Sequence, residues 1–294
     1  VQDTTSSIGG SIPVAYIRTG KPNKILARWK NNSWTVVDSA PANGRFSGYL
    51  YNMRPGQGEL QVCFSNNKNV VDTAKYVGIG DVFVVTGGSN GSGRADNHQS
   101  YRSDRFKASM YGNDYKWKEL TDPTDSCSGQ VDSVSKDCWE GRGSIWPLLA
   151  TRIMANQDVP VAFIPTAKGG ADIYEWQKNT STSTLYGAML NRVKKSGTKV
   201  RLILMQGADG VKKQDIDKNQ FKAAFNKFAN DIYADFGVKV ALSQSQDFPL
   251  EKFNVSAENT ARIAQQELWD ENKNIIQGPL LYDINLAGGV DGDE

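Results

Sequence analysis

Three short segments combine glycine with a group able to attack or polarise a carbonyl. Gly87-Gly88-Ser89-Asn90 puts a hydroxyl on a glycine turn, where the backbone passes closely and leaves Oγ and the following N–H groups open. Gly169-Gly170 supplies a further backbone N–H, and Gln206-Gly207 a side-chain amide. Together they hold what acyl transfer needs: the attacking oxygen of Ser89, and N–H donors at Ser89, Gly170 and Gln206 for the oxyanion that develops. Each segment alone has a plainer use, a sharp strand-to-helix turn for the glycines and a hydrogen-bonding loop residue for Gln206. Gly91-Ser92-Gly93 has no lysine in the position a P-loop requires.

Each of the three segments begins where an apolar run stops, and this shared position is the stronger signal. Apolar runs at 81–86, 159–164, 200–205, 238–242 and 279–284 alternate with helical patterns at 144–157, 185–195, 220–236 and about 256–272, the last opened by Ser256 as N-cap. The third of these helices carries Phe221, Phe225, Phe228 and Ile232 on one stripe. The alternation predicts an α/β domain over residues 77–294, a doubly wound, flavodoxin-like sheet of five parallel strands. Ligands of such sheets bind beyond the carboxyl ends of the strands, so the three segments are expected to converge on one rim. Residues 1–76 read differently. Short β-rich runs at 25–29, 34–37, 46–51 and 60–64, broken by Pro, Gly and Asn, predict a small all-β, sandwich-like domain before it.

Composition narrows the partners. Lys and Arg number 34 against 32 Asp and Glu, a net charge of +2 with both signs interspersed, which argues against nucleic-acid or membrane-surface binding by bulk charge. With 39% hydrophobic and 22% charged residues and no apolar stretch near 18 residues, the chain is a folded globular protein with no membrane span expected. A single histidine, His98, excludes zinc sites built on several histidines, and the three cysteines form no Cys-x-x-Cys pair. Cys127 and Cys138 flank a polar loop in which a local bridge is feasible, and that bridge would imply an extracellular protein; two free thiols are the alternative. Val1 opens the chain without Met and without a basic-then-apolar leader, so any secretory signal is expected to have been removed or never to have existed. His98 reads as a solvated loop residue, with Asp96 as its nominal carboxylate were it to reach Ser89. Trp176, shortly after Gly170, reads either as a platform for a sugar face or as packing.

The residues also carry a resemblance. Residues 77–90, VGIGDVFVVTGGSN, resemble the first block of the SGNH (GDSL-like) hydrolases, in the branch of the sialate O-acetylesterases and related carbohydrate esterases. Gly143-Ser144-Ile145-Trp146-Pro147, residues 159–170 and Leu204-Met205-Gln206-Gly207 are similar to the blocks that follow, and Gln277-Gly278-Pro279 with Asp283 to the approach to the last. The resemblance implies hydrolysis of acetyl esters on a carbohydrate, by Ser89 as nucleophile with the Ser89 and Gly170 amides and the Gln206 side chain as oxyanion donors. It requires no metal or organic cofactor. It also implies a final Asp-x-x-His block, for which Asp293, or Asp291 at a different spacing, is the Asp, and the His would come from a C-terminal segment after Glu294. Two positions depart from the pattern: Gly88 stands where the branch has Gln, and Ala208 where it has Glu. The expected partner is therefore an O-acetylated carbohydrate or polysaccharide at a cell or phage surface. The alternative is a non-catalytic glycan-binding or adhesion protein on the same fold.

Overall fold

The computed structural model describes residues 10–17, 24–124, 126, 128–132, 134–135, 142–207, 216–245 and 255–281. Six strands come first: β1 (Gly10–Ile17), β2 (Ile25–Trp29), β3 (Thr35–Asp38), β4 (Arg45–Met53), β5 (Gly56–Phe64) and β6 (Asn67–Ile79). β1 pairs with β4, and β3-β2-β5-β6 form a second antiparallel sheet. Alternation along β4 turns Phe46 and Leu50 inward onto Ile25, Ala27, Trp29 and Leu60, so the two sheets share one apolar core. Cys63 is a buried thiol in no disulfide.

Only Gly80 separates β6 from β7 (Asp81–Gly87). A Cβ at Gly80 would stand 1.9 Å from the Pro160 carbonyl, so glycine is required where the chain crosses into the third and largest sheet. The Gln57 side chain grips the Lys107 backbone from the first set of strands, donating to its carbonyl at 2.9 Å and accepting from its N–H at 2.7 Å.

The remaining strands are β8 (Ser109–Tyr111), β9 (Trp117–Glu119), β10 (Val161–Pro165), β11 (Leu202–Gln206), β12 (Val240–Leu242) and β13 (Ile275–Gln277). With β7 they form one sheet in the order β13-β12-β11-β7-β10-β8-β9, parallel throughout except for β9. Among the described residues the sheet has seven strands where the sequence suggested five. β8 and β9 are three residues each, too short to show a period. The last strand among the described residues is at 275–277, ahead of the expected 279–284, of which 282–284 lie outside them. Pro279 has no N–H for a ladder and lies beyond the strand, where its carbonyl accepts from Gln244 at 3.0 Å.

Five helices follow the strands: α1 (Ser89–Ser92), α2 (Trp146–Gln157), α3 (Leu185–Ser196), α4 (Lys218–Phe236) and α5 (Val255–Glu271). α3 is capped by the Thr184 side chain, which accepts from the Gly187 N–H, and α4 by Asp217, which accepts from Asn219 and Gln220. Ser256, expected as the cap of α5, lies inside the helix. Successive strand residues face opposite ways. Val82, Val84, Ile203 and Met205 pack with α3, α4 and α5, while Phe83, Val85 and Phe163 pack with α2. No helix among the described residues is long and apolar enough to cross a membrane.

Candidate active site

Because the strands run parallel, the carboxyl ends of β7, β10 and β11 share one rim. β7 ends in Gly87, paired with Gln206 of β11. Gly87 has φ +111°, and a Cβ there would stand 1.9 Å from the Gln206 carbonyl, so only glycine lets the two strand ends close together. Two backbone hydrogen bonds lock the junction: Gly88 N–H donates to the Gln206 carbonyl at 2.8 Å, and Lys168 N–H to the Gly87 carbonyl at 3.1 Å. The chain then turns at once into α1, whose first residue is Ser89. Gly93 N–H and Ser92 Oγ both donate to the Ser89 carbonyl, at 3.0 and 2.8 Å, and Trp146 Nε1 donates to the Gly91 carbonyl at 2.9 Å. Ser89 is thus held on a braced turn and stays partly open to solvent.

Gln206 is the last residue of β11 and 9% exposed, and its side-chain oxygen is buried with no hydrogen-bond partner among the described residues. Such an orphaned oxygen costs about 1–3 kcal/mol. A strand end that needed only packing would carry an apolar residue here. β12 continues the register sideways, Leu242 pairing with Met205, and the next residue, Ser243, donates its N–H to the Met205 carbonyl at 3.0 Å. Its hydroxyl is also buried without a partner among the described residues. Ser243 was not singled out in the sequence, because a lone serine after a three-residue strand matches no pattern.

The glycine block leaves β10 through Thr166 and Ala167, turns with Ala171 N–H on the Lys168 carbonyl at 3.2 Å, and presents Gly170, exposed and at φ +75°. Its root is strapped from the side. Arg192 of α3, fully buried, makes a two-pronged ion pair with Asp132, 3.0 Å on each arm, and also donates to the Pro165 and Val134 carbonyls. Ser135 Oγ reaches the Thr166 carbonyl at 2.8 Å. The segment around 130–135 is thereby fastened to the end of β10.

Other expected site residues fall elsewhere. Trp176 is fully buried, its ring edge-on to Phe228 at 6.2 Å, so it packs the core and has no face free for a sugar. The sequence around it, Asp172-Ile173-Tyr174-Glu175-Trp176, turns Ile173 and Trp176 inward and Tyr174 outward, a one-turn spacing that signals the burial. His98 lies exposed in its loop, and the carboxylate of Asp96 accepts from Arg142 at 2.8 Å. Asp293 and Asp291, and the Cys127 and Cys138 pair, lie outside the described residues.

The family model for carbohydrate esterases described as sialic acid-specific acetylesterases matches residues 79–277. The chain belongs to this family. The matched stretch of the carbohydrate esterase family runs from the last residue of β6 to the last of β13, and so takes in the whole larger sheet with all three rim segments. Two solved structures share the fold. One is a carbohydrate acetylesterase from Xanthomonas citri, 15% identical, with a TM-score of 0.59 over 94% of this chain and 65% of that one. The other is a protein of Arabidopsis thaliana, also 15% identical, with a TM-score of 0.53 over 68% of this chain and 85% of that one. No curated protein matches the sequence.

Proposed function

We propose that this protein is a carbohydrate O-acetylesterase with Ser89 as nucleophile. The observation that carries the proposal is the pairing of Gln206 with Gly87, which brings a buried side-chain amide to the end of the strand whose glycine turn presents Ser89. The Nε2 group of that amide is the donor an oxyanion needs, and a donor already held at a strand end needs no reorganisation when the charge appears. Ser89 Oγ attacks the acetyl carbonyl, and its proton passes to a general base. The oxyanion takes hydrogen bonds from the Ser89 and Gly170 N–H groups and the Gln206 amide. Collapse expels the sugar oxygen, which receives the proton, and water then cleaves the acetyl-serine to acetate and free serine.

The base in this scheme is a histidine oriented by Asp293, in the Asp-x-x-His arrangement the family resemblance implies. That histidine is not among the 294 residues, so the test uses the product of the whole reading frame. The scheme needs no metal or organic cofactor. It suits a secreted or surface-exposed protein of two parts, residues 1–76 and 77–294, that meets acetylated polysaccharide. Gly88 and Ala208, in place of the Gln and Glu of related sequences, favour a second reading, a glycan-binding protein with a silent site.

Acetate release from an acetylated glycan and from p-nitrophenyl acetate separates the two. The esterase releases acetate and loses that activity in Ser89→Ala. Undiminished turnover in Ser89→Ala rules out the nucleophile, and glycan binding without turnover in the unaltered protein supports the second reading.

A further inference from the structure

The loop that follows the glycine block has a construction that oxyanion chemistry does not require. Between Gly170 and Gln177 it buries Ile173 and Trp176 completely, yet leaves Tyr174 between them 50% exposed. The loop is cross-braced along its length. The Asp172 carboxylate accepts from the N–H groups of Tyr174 and Glu175, at 2.8 and 3.1 Å. Glu175 accepts from Asp172 N–H at 3.2 Å and pairs with Lys168 at 3.1 Å, and the Gln177 amide donates to the carbonyls of Ile173 and Ala224. A large apolar ring is thus held outward on a stiff loop four residues from a proposed oxyanion donor. Nothing in the core needs it there.

We propose that Tyr174 is the stacking platform for the pyranose ring that bears the acetyl group, and that this subsite takes a neutral sugar. The proposal rests on the esterase reading and deepens it by naming the substrate subsite. An aromatic face binds a sugar through the apolar side of the ring, and an aromatic side chain on a braced backbone has only two rotatable bonds to order on binding. Two carboxylates lie beside this one, and that of Asp172 accepts from the Tyr174 N–H itself. Asp172 and Asp217 lie close enough to act electrostatically on the phenol, which titrates above its ordinary range because of partial burial first and those two charges second. Of the neighbouring charges on the same loop, Lys168 is paired with Glu175. Carboxylates accept hydrogen bonds from sugar hydroxyls and repel a sugar that carries its own carboxylate.

The test compares an acetylated xylo-oligosaccharide, acetylated sialic acid and p-nitrophenyl acetate on the unaltered protein, Tyr174→Ala and Tyr174→Phe. The expected result is a KM for the xylo-oligosaccharide about tenfold higher in Tyr174→Ala with kcat kept, the size of one aromatic contact. Tyr174→Phe should restore the original KM, and turnover of p-nitrophenyl acetate, which has no sugar, should not change. Equal losses on the sugar and the p-nitrophenyl ester, or no change on either, would overturn the platform. A lower KM for acetylated sialic acid than for the xylo-oligosaccharide would overturn the neutral-sugar assignment. Calorimetric titration of deacetylated xylo-oligosaccharide into Ser89→Ala reads the platform without turnover. Binding that Tyr174→Ala abolishes there upholds the platform even if the esterase reading fails, and binding that Tyr174→Ala leaves intact overturns it.

Discussion

Replacing Gln206 with methionine separates catalysis from stability more sharply than any other single change. Methionine matches the length and approximate volume of glutamine and removes both amide atoms. The Gln206 side chain is nine-tenths buried, and its oxygen has no partner among the described residues, so the folded protein carries a desolvation cost of about 1–3 kcal/mol that the variant relieves. Repacking a thioether in the space of the amide returns part of that gain as imperfect fit. The net expectation is a variant about 1 kcal/mol more stable than the parent, with Tm higher by about 2–4 °C. Loss of one oxyanion donor should meanwhile lower kcat by roughly 10²–10³-fold with little change in KM. Urea unfolding and p-nitrophenyl acetate kinetics on the same preparations measure both. A variant destabilised by more than about 1 kcal/mol that keeps its activity would refute the reasoning, because Gln206 would then be a structural residue.

Arg192→Met leaves the Asp132 carboxylate buried without its partner and should cost about 3–5 kcal/mol in urea unfolding, with Asp132→Asn in the same chain recovering a large share. Esterase activity should fall more in the single variant than in the double one, since Arg192 also straps the end of β10 to the segment around 130–135. At Asp81, burial raises the carboxyl above its ordinary 3.8, against the opposing pull of Arg201. The folded state therefore holds that proton more tightly than the unfolded chain, and the stability so gained is complete below pH 3.8 and lost as pH rises through the folded pKa. Asp81→Asn should accordingly gain on the parent protein as pH increases, by unfolding at pH 3.5 and 6.5. An advantage that is equal at the two values, or larger at 3.5, would contradict this assignment.

How far the fold was readable depends on how each signal arises. β7 and β10 are buried on both faces and announce themselves as unbroken apolar runs, and α4 shows its buried stripe because one side faces the core. β8 and β9 are three-residue strands whose existence depends on a neighbour, so no local pattern marks them. β13 was placed four residues late because its apolar signal continues into Pro279 and Leu280, past the point where pairing stops. At the rim, Gly87 was legible because the close approach of two strand ends demands glycine, and Gln206 because a polar residue ends an apolar run there. Trp176 stays open between packing and binding in the sequence, since large aromatics near a rim serve both, and its burial beside Ile173 decides for packing. The unpartnered Ser243 hydroxyl and the Arg192–Asp132 strap depend on contacts distant in sequence.

The most direct test of the catalytic assignment is covalent. The product of the whole reading frame is incubated with a fluorophosphonate, and the adduct is located by peptide mass. The account predicts one phosphonylated residue, Ser89, formed far more slowly in Gln206→Met and absent in Ser89→Ala. No adduct, or an adduct on another serine that persists in Ser89→Ala, would contradict it.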